Sequence, residues 1–413
     1  MLRPTHSHMN EFPPSRYLDN KTPPHISTLI LLAGISALAM NIFLPSLPGM
    51  AEHFDTEYRL MQLSVAIYLG MNAVLQILIG PVSDKYGRRR VVLISLVIFL
   101  LATIGCLLAT NAAMFLFFRM MQASVAVAMV LSRAVVRDIT TQDRAASMIG
   151  YVTMGMAVVP MIGPAIGGYL ESAFGWKASF LMLFAAGLFV LFIAWRDMGE
   201  TKPPSDISLA DQFREYPELL TAPRFWGYCL ASAFGSGAFF AYLGGAPYVG
   251  SVVFSLPPDQ LGLFFAAPSL GYFLGNWITG AYSSRIGVNK MVLVGASLCA
   301  FGMALSLLMS LTDHSSPYAF FGFMSFVGLG NGMTISNATA GMLSVRPKLA
   351  GTASGLGSAI MIGGGAGLSA LAGALLVPGR GEYPLIWIML ITSLLSIASI
   401  LFVIRREKRL GLA

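Results

Sequence analysis

Gly80-Pro-Val-Ser-Asp84-Lys-Tyr-Gly87-Arg88-Arg89-Arg90 joins two apolar runs, and two hundred residues later Gly280-Ala-Tyr-Ser-Ser284-Arg-Ile-Gly287-Val-Asn-Lys290 joins two more. The glycines keep their spacing and the last basic residue survives, while the acid at position 84 becomes Ser284. Short loops need glycine to turn tightly, and clustered Lys and Arg hold a loop on the cytoplasmic side of a membrane. A loop that recurs at corresponding places in two halves of a chain is the mark of a duplicated transporter fold.

Outward from these loops, apolar runs fall near 26–48, 61–82, 91–110, 112–133, 146–170 and 176–195, then 225–247, 260–283, 291–311, 317–340, 350–377 and 383–404. Each is long enough for a membrane helix of about 20 residues. Of the 413 residues 56% are hydrophobic and 11% are charged, less than half of the roughly 25% charged in an average soluble domain. The chain lacks the polar residues for a water-facing shell, and its mean hydropathy of +0.71 agrees. The apolar runs are continuous rather than alternating, which excludes a β-barrel. The net charge of +7 does not sit on one soluble module, so nucleic acid is not the partner. The first apolar run begins too late and runs too long for a cleavable signal peptide. Cys106, Cys229 and Cys299 all lie in apolar runs, odd in number and widely spaced, which argues against disulfides or a zinc site.

The expected fold is therefore an all-α membrane protein of twelve transmembrane helices in two pseudo-symmetric six-helix bundles. The bundles occupy 26–195 and 225–404, with tails at 1–25 and 405–413. Residues 196–224 form a 29-residue central loop with ten charged residues, denser than any other stretch of that length. With the loops assigned alternately, 22 of the 26 Lys and Arg fall on one side, against Arg59, Lys177 and Arg380 on the other and Arg119 inside a run. That bias places both termini and the central loop in the cytoplasm.

The string Gly80-x-x-x-Asp84-x-x-Gly87-Arg88-Arg89 resembles the loop motif of the major facilitator superfamily, in which it acts as a conformational latch between the two halves. Arg119-x-x-Gln122 resembles the family's second motif, with Ala123 in place of the usual glycine. Gly150, Gly163, Pro164 and Gly167 resemble the motif of its antiporters, with Val159 replacing one glycine. Leu44-Pro45-Ser46-Leu47-Pro48, Val136-Arg137-Asp138, Gly175-Trp176-Lys177, Glu200-Thr201-Lys202-Pro203 and Ala350-Gly351-Thr352-Ala353-Ser354 together resemble the Bcr/CflA group of drug:proton antiporters. The resemblance implies a monomeric, multi-pass protein of the bacterial inner membrane, working by alternating access. It would exchange protons for small amphipathic drugs of the chloramphenicol or bicyclomycin kind. Its alternatives within transport are an uncoupled facilitator or a metabolite porter, for instance of amino acids or sugars.

One departure bears on coupling. The subgroup carries an acid before its Leu-Pro string, and here that position is Asn41. None of the nineteen acids or five histidines falls at mid-membrane depth in the assigned spans. Arg119 lies inside its span, where an arginine costs about 2.5–3.5 kcal/mol to insert, and at about the depth of Asn41. Two partnerships are open to it: the carbonyl oxygen of the Asn41 amide, or backbone carbonyls together with Gln122. An unpaired amide in hydrocarbon is costly, so amides and aromatics of the spans are expected to line the substrate path: Met40, Tyr68, Gln76, Phe239, Tyr242, Asn276, Asn331 and Asn337. An intramembrane enzyme is excluded for want of parts. The chain has no His-Glu-x-x-His, no pair of intramembrane aspartates and no histidine in a span to activate a serine. No metal site, no cofactor and no catalytic residue is expected.

Overall fold

The computed structural model describes residues 15–139, 142–202, 216–346 and 349–411. Residues 1–14 of the N-terminal tail and 203–215 of the central loop lie outside the described residues. The chain is all-α. Among the described residues, eleven helices are long and apolar enough to cross a membrane. They are α1 Ile26–His53, α2 Tyr58–Tyr86, α3 Arg88–Leu107, α4 Ala112–Val136, α6 Lys177–Asp197, α7 Pro223–Val253, α8 Pro258–Ile286, α9 Val288–Leu311, α10 Pro317–Val345 and α12 Tyr383–Arg409, with α11 spanning Ala350–Leu375. A 33-residue helix, α5 Gln142–Phe174, stands between α4 and α6.

Helix packing repeats with an offset of six. In the first half α1 packs on α5 and α6, α2 on α4, and α3 on α6; in the second half α7 packs on α11 and α12, α8 on α10, and α9 on α12. The halves meet through α2 with α11 and α5 with α8, pairs that the same offset exchanges. Local structure repeats too. Gly87 and Gly287 both have φ +91°, a conformation that glycine adopts without steric penalty. Each donates its N–H to a serine carbonyl four residues back, Ser83 at 3.0 Å and Ser283 at 2.9 Å, closing one helix as it opens the next. At the far end, Asn111 accepts from the Met114 N–H at 2.8 Å and Ser316 from the Ala319 N–H at 3.2 Å. These side-chain caps start α4 and α10.

Three helices are broken where sequence alone predicts continuous spans: α8 at Phe265, and two others near Arg119. The regular part of α1 stops at Asn41 and resumes, after a 3₁₀ turn at Leu44–Ser46, as Leu47–His53. Pro45 and Pro48 lack the N–H that a continuing helix needs. In α4 a 3₁₀ turn at Ala123–Val125 follows Gln122. Both breaks adjoin Arg119, and they decide what it touches.

Candidate functional site: a cavity between the two halves

A cavity of about 240 Å³ lies between the halves, just below the roughly 300–1,000 Å³ of small-molecule pockets. Five sequence candidates line it: Met40, Tyr68 and Gln76 from the first half, Phe239 and Asn331 from the second. Gln76 donates to the side-chain oxygen of Asn72 one turn away at 3.2 Å, so two side-chain amides of α2 stand together in the wall. Across from them Asn331 is 3% exposed, and its Oδ1 is buried without a hydrogen-bond partner.

Three other candidates lie outside the wall. Tyr242 is buried against Phe265 and Phe321, with ring centroids 5.1 and 6.3 Å away. Asn276 donates to the Tyr272 carbonyl at 2.9 Å and accepts from Ser336 at 3.0 Å. Asn337 donates to the Met333 carbonyl at 2.7 Å and accepts from Ser283. These amides are satisfied by tying α8 to α10 rather than by facing a ligand.

Arg119 is sealed from the cavity. It is 0% exposed, with its guanidinium carbon 4.1 Å from the Phe43 ring centre and 4.4 Å from that of Tyr68. It donates to Gln122 Oε1 and, at 2.8 Å, to the Ala39 carbonyl. Gln122 in turn donates to Thr103 at 2.8 Å. The break after Asn41 is the physical reason. A helix that stops leaves its last carbonyls short of intrahelical donors, and Arg119 supplies one. Two bonds from a charged donor, at about 1.5–3 kcal/mol each, offset the insertion cost. Of the two open partnerships the second is the observed one, and the Asn41 amide instead donates to the Ala37 carbonyl of its own helix at 2.7 Å. Asn41 is packed on α5 beside Gly163, where an added Cβ would meet Asn41 Cβ at 3.8 Å.

The far end of the cavity is shut by contacts across the halves. Tyr58 donates to the Gly244 carbonyl at 2.8 Å. The Gln62 amide nitrogen donates to Ser369, 2.6 Å from its carbonyl and 2.9 Å from its hydroxyl. The Gln62 side chain fits because Gly244 and Gly373 flank it: a Cβ on Gly373 would come 2.6 Å from Gln62 Cδ. Beside this plug α5 and α8 touch backbone to backbone. A Cβ on Gly168 would meet the Pro258 carbonyl carbon at 3.0 Å, and one on Gly262 the Pro164 carbonyl carbon at 3.1 Å. Within the first half, a Cβ on Gly167 would stand 2.8 Å from the Ile42 carbonyl carbon. Gly150 lies in α5, but its surroundings are outside the described residues.

Towards the basic loops a second cavity, of about 340 Å³, adjoins the first and shares Gln76, Arg133 and Ser358 with it. Its wall includes Gly80, Pro81, Asp84 and Arg88. Asp84 pairs with Arg88 at 2.7 Å and with Lys202 at 3.0 Å, and Arg88 with Asp138 at 3.0 Å. Glu200 accepts from the backbone N–H groups of Arg88 and Arg89 at 2.8 and 3.2 Å. A carboxylate there caps the otherwise unsatisfied start of α3 and meets its positive dipole end. Arg89 itself donates to the Trp195 carbonyl at 2.9 Å. The start of the central loop is thus clasped onto the α2–α3 loop. Sequence reasoning missed Glu200 and Lys202 in this role, and also Gln62 and Arg133. The string Glu200-Thr201-Lys202 was the available signal for the first two.

A model of the family described as Major Facilitator Superfamily matches residues 29–367 and 253–412. The chloramphenicol resistance protein of Pseudomonas aeruginosa is 30% identical over 336 residues, which is 79% of this chain and 78% of that protein. Multidrug resistance protein D of Escherichia coli (strain K12) is 28% identical, covering 87% of this chain and 90% of its own. A bicyclomycin resistance protein homolog of Haemophilus influenzae is 26% identical over 84% of this chain and 88% of its own. The crystal structure of a D-xylose-proton symporter superposes with a TM-score of 0.72 at 15% identity, covering 92% of this chain and 97% of that one. That likeness is one of fold.

Proposed function

We propose that this chain, which belongs to the Major Facilitator Superfamily, exports small amphipathic drug-like compounds from the cytoplasm by alternating access. The observation that carries the reading is the pair of cavities: a central one plugged at the far end by Gln62 and the α5–α8 contact, and a second one leading from it towards the basic loops. With the basic loops in the cytoplasm of a bacterial cell, as their charge implies, this is the cytoplasm-facing state of an inner-membrane exporter. The apolar and aromatic wall suits lipophilic cargo, and the names of the drug-resistance relatives support that class.

Proton antiport is the coupling we assign, with the chain working as a monomer. A specific observation favours the second reading, an uncoupled facilitator: among the described residues lining the central cavity there is no Asp, Glu or His. Neither Asn41 nor the acids Glu171 and Asp138 reach its wall. One experiment separates the readings. Chloramphenicol accumulation is measured in energised cells with and without the chain, before and after an uncoupler. Lower accumulation that the uncoupler abolishes is expected. Uncoupler-insensitive movement down the gradient supports the facilitator, and equal accumulation in both strains refutes export.

A further inference from the structure

Glu171 stands in the last turn of α5, one helical turn beyond Gly167, so it shares the face on which Gly167 meets Ile42 of α1. Its carboxyl lies against the place where α1 breaks and resumes. A Cβ on Gly49 would come 2.7 Å from Glu171 Oε1, and the Ser46 hydroxyl faces the carboxyl from the 3₁₀ turn. Glu171 Oε2 and Ser46 Oγ are both buried without a hydrogen-bond partner. The charged and titratable groups at this end of the elements packed against α5 leave the carboxyl uncompensated. Asp259, at the start of α8, lies beside the same turn, 3.5 Å from the Ser172 hydroxyl, and opposes a second negative charge. His53 of α1 packs edge-on against Phe54 and Trp176, Lys177 of α6 lies 5.6 Å from the Trp176 ring centre, and Glu52 of α1 is exposed. Arg119 of α4 is held by Gln122 and the Ala39 carbonyl. Among the described residues, none forms an ion pair with Glu171.

Resting on the alternating access of the export reading, we propose that Glu171 is a proton-binding site of the far-end gate: closing the far end takes up one proton from the outer solution onto its carboxyl, and opening returns that proton to the same side. In the closed state a carboxylate would have one hydroxyl to receive it and no cation, and burial disfavours a charge so poorly compensated. The neutral acid avoids that cost. When α5 parts from α1 and α8, water reaches the carboxyl and it ionises like any surface glutamate. No proton crosses the membrane in this step, so the site operates under the antiport and facilitator readings alike. It also lets external pH act on a chain whose described cavity lining holds no acid. The sign follows from the linkage: acid outside favours the far-end-closed state, and a rising external pH favours the open one.

The test is the distance between spin labels at Glu52 and Asp313, one in each half at the far end, in full-length protein in proteoliposomes buffered at pH 5 to 8 on both sides. The ratio of closed to open distances should fall several-fold from pH 5 to pH 8, and no more steeply than roughly tenfold per pH unit, the limit for one proton. Glu171→Gln, neutral at every pH, should make the ratio independent of pH with the closed distance favoured throughout. His53→Gln should keep the wild-type profile. Ser46→Ala removes only a buried hydroxyl, which donates more strongly to the charged form, so it should extend the fall to higher pH; it carries the test if Glu171→Gln does not fold. Two distances in a pH-independent ratio in the wild type overturn the proposal alone. So does a fall retained in Glu171→Gln, unchanged in Ser46→Ala or abolished by His53→Gln. A single distance at every pH fails the alternating-access reading along with it.

Discussion

Gly373→Ala isolates the far-end plug from the rest of the fold. The added methyl would stand 2.6 Å from Gln62 Cδ and 3.0 Å from its Cγ, against a relaxed carbon–carbon separation of about 3.5–4.0 Å. The overlap runs from the Gln62 amide oxygen back through Cδ to Cγ, so rotating the amide tip alone does not relieve it. Gln62 must withdraw from the slot, and both of its bonds to Ser369 go with it. Interhelical hydrogen bonds inside a membrane average about 0.6 kcal/mol and reach about 1.7. Two of them amount to about 1–3 kcal/mol, or about 5- to 150-fold in a two-state equilibrium. Alanine suits a helix interior better than glycine does, so α11 itself is not weakened and the fold survives. What moves is the balance between far-end-closed and far-end-open states.

The assay is the distance distribution between spin labels at Glu52 and Asp313, exposed residues of the two halves at the far end, in proteoliposomes. The closed-state distance should dominate in the wild type and lose population to a longer one in Gly373→Ala. In the Gly373→Ala background Gln62→Ala should add little, because both changes remove the same contact. A distribution identical to wild type, or fully additive effects of the two substitutions, would show that the plug does not hold the closed state.

Two further outcomes follow from the same geometry. Arg119→Lys should lose most transport and lower the yield of folded protein. An ammonium cannot at once reach Gln122 and the Ala39 carbonyl and lie flat between Phe43 and Tyr68; near-normal export with normal yield counts against the pairing. Asp84→Asn should keep expression near wild type while slowing efflux, since it removes the ion pairs to Arg88 and Lys202 but leaves Glu200 capping α3; wild-type efflux rates would deny the α2–α3 loop a part in the conformational cycle.

Much of the architecture was legible because hydrophobic length, loop charge and the repeated glycine loop all act locally. Arg119 was legible as an anomaly, and one of its two weighed partnerships is the observed one: Gln122 and a backbone carbonyl. Choosing between them required the helix break before Pro45, which frees carbonyls near Asn41 and turns the problem from pairing a charge into capping a helix end. The amides of α10 were separable in principle. Asn331 and Asn337 are six residues apart, about 600° along a helix, so they sit roughly 120° apart and cannot face one cavity together. The plug was not legible. Gln62, Gly244, Ser369 and Gly373 are ordinary in their own segments, and their meaning arises only from pairing across the halves. Arg133 shows a related limit: in sequence a cation near the end of a span reads as a topology signal, and only the neighbouring helices show that it also lines both cavities.

The two glycine loops carry the argument one step further. Their backbones are alike to within a few degrees, yet they hold different things. At Gly87 an added Cβ would press on the Glu200 carboxylate, 3.0 Å from its Cδ, whereas at Gly287 it would meet nothing within 4 Å. The second loop instead sends Asn289 to Glu407 at 2.5 Å, and Tyr228 joins the same carboxylate at 3.0 Å. The corresponding closure of the first half uses Asp197, which accepts from the backbone of Leu18 and His25 and from Thr28 at 2.6, 2.8 and 2.6 Å. Each half therefore fastens its sixth helix to its first with a buried carboxylate, a contact internal to the half. Among the described residues, the first half alone adds, at its glycine loop, an ionic cluster that lines the second cavity. The same glycine turn thus occurs twice, and with Ser284 standing where the first loop has Asp84, the second lacks the carboxylate around which Arg88 and Lys202 gather in the first.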